Sequence, residues 1–145
     1  MDQDFDFKQV PFHWELCYVS ECKRKAECLR YQACLQAPPA AHRHPCILPT
    51  VLQQSQCPYF HPIQKMRVAV GFRHIFNKVL AKDIAAMRSD MAAYLGSTTT
   101  FYRYRNGEYQ LNPRQQQWIA QLFHRYGYTH ALVFDDYKDM YVYSD

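Results

Sequence analysis

The stretch from Gly96 to Gly107, Gly-Ser-Thr-Thr-Thr-Phe-Tyr-Arg-Tyr-Arg-Asn-Gly, decides the fold that we expect for this chain. Apolar residues at helical spacing lead up to Gly96, and glycine is the residue that most often ends a helix. Residues 98–105 then predict a short helix that closes on Asn-Gly. Asn112 followed by Pro113 is typical of a helix start. The stretch therefore predicts three consecutive helices joined by tight turns.

The rest of the second half predicts one more helix and a small pair of strands. Apolar residues recur at three- and four-residue spacing between Val68 and Val79, which indicates one face of a helix. Residues 131–134 and 140–143 read as two short strands around an acidic turn. We therefore expect four helices after residue 63 and a small C-terminal β-hairpin.

Composition divides the chain near residue 62. Residues 38–62 hold six of the eight prolines, and all six cysteines fall within the first 57 residues. A loop this long inside a compact protein needs something to order it. We expect two domains, a Cys-rich module over residues 1–62 and a helical domain over residues 63–145. The predicted fold class is mainly α: a helical bundle with an N-terminal Cys-rich, zinc-binding module and a C-terminal β-hairpin.

The compartment expected for the chain is the cytoplasm. The N-terminus is acidic and lacks the apolar segment of a secretory signal, and no apolar run is long enough to span a membrane. In a reducing compartment, cysteines favour metal binding or burial over disulfides.

The cysteine spacing predicts a metal site. Thiolates bind zinc well, and four of them close a tetrahedral structural site. An iron–sulfur cluster is the less favoured alternative. Cys34 and Cys46 are interpreted as buried thiols. The expected ligands are Cys17, Cys22, Cys28 and Cys57.

Positive charge is concentrated in the middle of the chain. Residues 66–130 carry nine Lys and Arg against three acids, whereas the whole chain has a formal charge of +4. Hydroxyl and guanidinium groups on the short helix are of the kind that contact DNA phosphates and bases. The DNA-contacting residues that we predict are Thr99, Thr100, Tyr102, Arg103 and Arg105.

Residues 82–128 resemble the Cro/repressor-type helix-turn-helix, in which the recognition helix commonly ends in Asn-Gly and a proline opens the next helix. The resemblance implies that residues 98–105 read double-stranded DNA in the major groove. Modules of this type usually act as dimers, so a homodimer is one expectation, although no dimerisation heptad is present.

Several short runs carry a second resemblance, which covers nearly the whole chain. They are Phe5-Asp-Phe, Cys17…Cys22…Cys28-Leu-Arg, Cys57-Pro-Tyr-Phe, Phe101-Tyr-Arg-Tyr-Arg-Asn and Val133-Phe-Asp. In these runs the chain resembles an uncharacterised bacterial family of small cysteine-containing proteins. The resemblance implies that the four cysteines belong to one motif, and it brings no known activity.

Three functions remain open on the sequence. The leading one is a small DNA-binding transcriptional regulator with a structural metal site. The second is a metal-stabilised protein-interaction module without nucleic acid, and the third is an iron–sulfur or thiol redox protein. No phosphate-binding glycine loop, Ser-His-Asp order or paired carboxylates can be identified, so an enzyme is the less favoured expectation.

Overall fold

The computed structural model describes residues 5–143, which form two compact units. Unit 1 comprises the residues up to Gln64 together with those from Tyr141 onward. Unit 2 comprises Lys65–Met140.

Unit 1 is built from short elements around a small apolar core. Strand β1 (Leu16–Cys17) pairs in parallel with β2 (Cys46–Ile47), and helix α1 (Leu29–Leu35) packs against β1. Short 3-10 helices occupy Phe7–Gln9, Lys25–Glu27 and Pro49–Gln53. The buried core residues that pack together are Val10, Trp14, Leu16, Leu29 and Ala33.

Unit 2 combines a three-stranded sheet with three helices. Strand β3 (Lys65–Val70) lies in the middle, between β4 (Gln110–Leu111), which is antiparallel to it, and β5 (Asp136–Tyr141). The helices are α2 (Ala81–Leu95), α3 (Thr98–Arg105) and α4 (Pro113–Arg125). The largest side chains buried in this unit are Phe72, Met87, Met91, Phe101, Leu111, Ile119, Leu122 and Phe123.

The helix signals around Gly96 are confirmed. Helix α2 ends at Gly96, whose φ of 121° suits glycine, and α3 begins after Ser97 and ends at Arg105. Helix α4 begins with the predicted Asn112 cap and Pro113. The Asn112 side chain accepts from the Gln115 N–H, and the Gln115 side chain accepts from the Asn112 N–H. This reciprocal pair is a capping box and fixes the start of α4.

The prediction of a mainly α helical bundle is wrong, because residues 5–143 form a mixed α/β structure with two sheets. The segment from Val68 to Val79 consists of the last three residues of β3 and a series of turns, not a helix. The turns make i→i+3 backbone bonds, such as Ile75 N–H to Phe72 O and Val79 N–H to Phe76 O. These turns bury the same apolar residues at the same spacing, so the periodicity fitted both structures.

The prediction of a C-terminal β-hairpin is also wrong. Instead of two strands at 131–134 and 140–143, the structure has the single strand β5, whose neighbour in the sheet is β3. Before β5, the Asp135 N–H donates to the Gly71 carbonyl and the Phe134 N–H donates to the Tyr137 hydroxyl. The acidic segment therefore joins a sheet whose central strand, β3, comes from the start of unit 2 in sequence.

Among the described residues, no helix has the length and apolar character needed to cross a membrane.

Candidate functional site

The middle and the end of helix α3 are anchored to the segment after β3, and its start is capped by Ser97. At its start, the Thr100 N–H donates to the Ser97 Oγ at 3.1 Å. In its middle, Phe101 is fully buried and meets the Phe72 ring edge-on, with 5.3 Å between centroids. At its end, the Phe72 N–H donates to the Arg105 carbonyl at 3.1 Å. The helix is therefore fixed to the end of β3 and is not a free surface helix.

The chain leaves α3 through a turn that only glycine fits well. Gly107 has φ 82°, and a Cβ there would lie 3.1 Å from the Val70 Cγ1. The Asn-Gly end that carried the sequence resemblance therefore turns tightly against β3.

The outward face of α3 carries hydroxyl, phenol and guanidinium groups. Thr99, Tyr102 and Arg103 are exposed, while Thr100 and Arg105 are half-buried. Thr98 is exposed on the same first turn and belongs to the same threonine run, although it is not among the five DNA-contacting residues predicted from the sequence. Thr100 differs from the others because its Oγ1 accepts a hydrogen bond from the Ser97 hydroxyl, so it serves the helix cap.

Aromatic neighbours hold both arginines of α3. The Arg103 Nη1 donates to the Tyr109 hydroxyl at 2.7 Å, and its guanidinium lies 5.6 Å from the centre of the Tyr109 ring. This hydrogen bond raises the pKa of Arg103 above its ordinary value. The Arg105 guanidinium lies 5.9 Å from the Tyr102 ring and donates to the Asn106 Oδ1. Nothing in the spacing of Arg103 and Tyr109 signalled this pairing.

Carboxylates of α2 are hydrogen-bonded to tyrosines around the end of α4. The Tyr126 hydroxyl donates to Asp90 at 2.8 Å, and the Tyr128 hydroxyl donates to Asp83. These bonds raise the pKa of both tyrosines. Asp83 and Asp90 are two of the three acids in residues 66–130. The third, Glu108, follows α3 in the sequence.

A shallow groove of about 430 Å³ runs where α2 meets α3. Helix α2 contributes Arg88 and Ser89 to it, and the turn and α3 contribute Ser97 and Thr98. The rest of its lining is apolar or glycine: Ala85, Ala92, Ala93, Gly96 and Phe101.

Unit 1 holds a second candidate site, a cavity of about 430 Å³. The four cysteines predicted as metal ligands, Cys17, Cys22, Cys28 and Cys57, all line it. Arg24, Lys25 and Arg30 line it as well, with Val51, Leu52 and Phe60 among its apolar residues. Cys34 and Cys46 are not among the lining residues.

Backbone bonds bring the cysteine-bearing segments to this cavity. The Leu29 N–H donates to the His61 carbonyl at 2.7 Å, which places the segment after Cys57 beside Cys28. The turn that carries Cys22 is closed by its N–H, which donates to the Val19 carbonyl.

The side chain of Arg30 links three segments of unit 1. Only 3% of this residue is exposed, and its Nε donates to the Tyr59 carbonyl at 2.7 Å. Its Nη1 donates to the Glu15 carbonyl at 2.8 Å, and the guanidinium lies 4.4 Å from the Trp14 ring. Arg30 therefore ties α1 to the segment before β1 and to the loop after Cys57.

Burial raises the pKa of the Cys17 thiol, and the neighbouring thiols of Cys28, Cys46 and Cys22 raise it further. Burial likewise raises the pKa of Cys34. Since a thiol must lose its proton to act as a nucleophile, these two side chains are poor candidates for a catalytic thiolate.

The prediction of a zinc-binding module is not supported by the described residues. Within residues 5–143, no three or more His, Cys, Asp or Glu side chains are arranged to hold a metal ion. The four thiols share a cavity wall without converging on one point.

The protein is thus a two-unit α/β protein. It has a basic helix surface on unit 2 and a thiol-lined cavity in unit 1. Residues 1–143 match the model of a family of unknown function, DUF6078, and the chain belongs to that family. This confirms the resemblance to an uncharacterised family. No curated protein and no solved structure matches the chain.

Proposed function

We propose that the protein binds double-stranded DNA through α3, the activity of a small transcriptional regulator. The observation that carries the proposal is the combination of an α3 fixed at its middle and its end with an outward face of Thr99, Tyr102 and Arg103. A DNA-reading helix needs both properties, because its side chains must reach base edges and phosphates from a defined position.

The chemistry of the face fits a phosphate backbone and base edges. A guanidinium has several N–H donors in one plane, so Arg103 can keep its bond to Tyr109 and still donate to a phosphate or a guanine. Because Tyr109 already restricts that side chain, less conformational entropy is lost on binding. Threonine hydroxyls in the first turn and Arg88 beside the groove add donors for the flanking phosphates.

A second copy of the chain would double these contacts. Dimeric helix-turn-helix proteins place two recognition helices about one turn of DNA apart, so their sites are inverted repeats. We include a homodimer on DNA in the proposal for this reason, and the symmetry of the bound sequence tests it.

The test compares matched variants in fluorescence-anisotropy titrations of a duplex at several salt concentrations. Replacing Arg103→Ala together with Arg105→Ala is expected to weaken binding roughly 10- to 100-fold and to reduce the salt dependence by about one to two phosphate contacts. The matched control is Lys78→Ala with Lys138→Ala, which removes the same charge from two exposed positions elsewhere in unit 2.

The control pair is expected to bind almost like the wild type. Circular dichroism of each variant establishes that helicity is unchanged. If the arginine pair and the lysine pair lose affinity equally, binding reflects net charge alone and α3 is not the DNA-contacting element. Absence of duplex binding at low salt by the folded wild type would shift the proposal to a protein-interaction module.

A further inference from the structure

We propose that the cavity of unit 1 binds a small amphipathic carboxylate, whose aliphatic chain lies against the buried wall while its carboxylate pairs with Arg24 and Lys25. The proposal is independent of DNA binding, because every lining residue of the cavity lies in unit 1 and α3 lies in unit 2. It rests on the apolar lining of the cavity, on the cations at its exposed side and on the net charge of the groups around it.

The buried wall of the cavity is apolar. Val19 and Ile47 line it and are only 2% and 8% exposed, and Val51 and Leu52 add aliphatic side chains from the third 3-10 helix. Leu52 is 47% exposed, so an aliphatic chain in the cavity would remove apolar surface from water. The volume of about 430 Å³ lies within the range of roughly 300–1,000 Å³ that is usual for small-molecule sites.

Two cations stand at the exposed side of the cavity. Arg24 and Lys25 both line it and are both exposed. The Arg24 guanidinium stacks on the Phe60 ring, 3.4 Å from the centroid, and the Lys25 ammonium donates to the Ser20 carbonyl at 2.8 Å. These contacts restrain the two side chains without using all of their N–H donors. A carboxylate has two oxygens and can accept from both cations.

The net charge around the cavity favours an anion with a single charge. Of the described residues that line it, Arg24, Lys25 and Arg30 are cationic and none is Asp or Glu. Glu27 lies 3.9 Å from Arg24. Glu15 lies 3.4 Å from Arg30, so three cations and two partner carboxylates leave a net charge of +1. The desolvation cost of an anion rises with the square of its charge, whereas its attraction to this site rises only in proportion, so a carboxylate suits the site better than a phosphate dianion.

The experiment uses cysteines of unit 1 as reporters of occupancy. Cys22 and Cys57 are half-buried and line the cavity, whereas Cys46 is exposed and is not a lining residue. Alkylation of the reduced full chain by iodoacetamide is followed at each cysteine by mass spectrometry, and each rate with octanoate is divided by the rate without it. We expect octanoate to slow alkylation of Cys22 and Cys57 with a Kd of about 1 mM and to leave Cys46 unchanged.

Matched ligands test the two parts of the site separately. Octan-1-ol has the same chain without the charge and is expected to protect the two lining thiols about 5-fold less effectively than octanoate. Hexanoate keeps the charge and lacks two methylene groups, so it is expected to bind about 10-fold more weakly. Octyl phosphate is expected to bind no more tightly than octanoate, for the reason of desolvation given above.

Variants assign the binding to the two cations. Arg24→Gln together with Lys25→Gln is expected to weaken octanoate binding about 10-fold, because both donors to the carboxylate are lost. The matched control is Lys23→Gln with Arg43→Gln, which removes the same charge from exposed positions of unit 1 that do not line the cavity, and is expected to bind like the wild type. Glu27→Gln removes the carboxylate that competes for Arg24 and is expected to bind octanoate about 2- to 5-fold more tightly.

Four results would overturn the proposal, provided that circular dichroism shows each protein to be folded. The first is a wild type in which about 10 mM octanoate leaves the alkylation of Cys22 and Cys57 unchanged. The second is equal protection by octan-1-ol and octanoate, which would mean that the cations do not contribute. The third is equal loss of binding in the control pair and in the Arg24 and Lys25 pair. The fourth is tighter binding of octyl phosphate than of octanoate, which would contradict the carboxylate.

Discussion

Replacing Arg30 by methionine is expected to destabilise unit 1 severely. Arg30→Met keeps most of the side-chain volume and removes the guanidinium that bridges the Glu15 and Tyr59 carbonyls at 2.8 and 2.7 Å. The Arg30 side chain is buried and both bonds are partly buried, so the variant leaves the two carbonyls without their charged donor.

The magnitude follows from those two bonds. Each hydrogen bond from a charged donor contributes about 1.5–3 kcal/mol net, while removing a buried charge returns part of its desolvation cost. The difference is a loss of about 3 kcal/mol in the free energy of unfolding of unit 1. The control Arg24→Met removes an exposed guanidinium whose Glu27 partner lies 3.9 Å away, and is expected to cost less than about 1 kcal/mol.

The assay is urea unfolding followed by tryptophan fluorescence in a Trp118→Phe background. The chain has two tryptophans, and Trp14 then reports on unit 1 alone. We expect a lower midpoint for Arg30→Met at an unchanged slope, and a midpoint near wild type for Arg24→Met. Equal midpoints for the two variants would refute the role assigned to Arg30.

Two further predictions concern the cap of α3 and the C-terminal segment. Ser97→Ala removes the acceptor for the Thr100 N–H and is expected to lower the stability of unit 2 by about 1 kcal/mol, whereas the exposed Thr99→Ala should change it by less than about 0.5 kcal/mol in the same thermal unfolding experiment. Burial raises the pKa of Tyr143 to about 12. The folded state therefore keeps this proton at a pH where the unfolded chain loses it, so unit 1 should lose stability as pH rises from about 10 to 12. Tyr143→Phe should lose less stability than the wild type over that pH range. An identical loss in the variant and the wild type would contradict the raised pKa of Tyr143.

The parts of the fold that were predictable from sequence are those decided by neighbouring residues. The glycine stop of α2, the Ser97-to-Arg105 helix and the Asn112–Pro113 start of α4 all depend on contacts within a few residues. Local signals of this kind do not depend on the rest of the chain. The helix boundaries that they predicted are therefore correct even though the predicted fold class is wrong.

The sheet was not predictable in the same way. Strand β3 forms by pairing with β4 and β5, which are distant from it in the sequence. Its apolar residues continue into the turns after Gly71 at a spacing that also fits a helix, so periodicity could not separate the two structures.

The candidate sites likewise combine features that nearby residues decide with features that depend on residues distant in the sequence. Exposure of Thr99 and Arg103 follows from helix periodicity, whereas the pairing of Arg103 with Tyr109 depends on the turn after α3. The shared cavity of the four cysteines depends on long-range backbone bonds, such as the one from Leu29 to His61. Sequence spacing suggested a common set of ligands but could not indicate how closely they approach.

The most direct test of the account is selection of the full chain on a random duplex DNA library at about physiological salt, which suppresses the weak binding shown by any basic surface. If α3 reads DNA, the wild type enriches a shared sequence, arranged as an inverted repeat if a homodimer binds, and the Arg103→Ala, Arg105→Ala protein does not. A folded wild type that enriches no sequence, or a double variant that enriches the same one, would contradict the claim that α3 reads DNA.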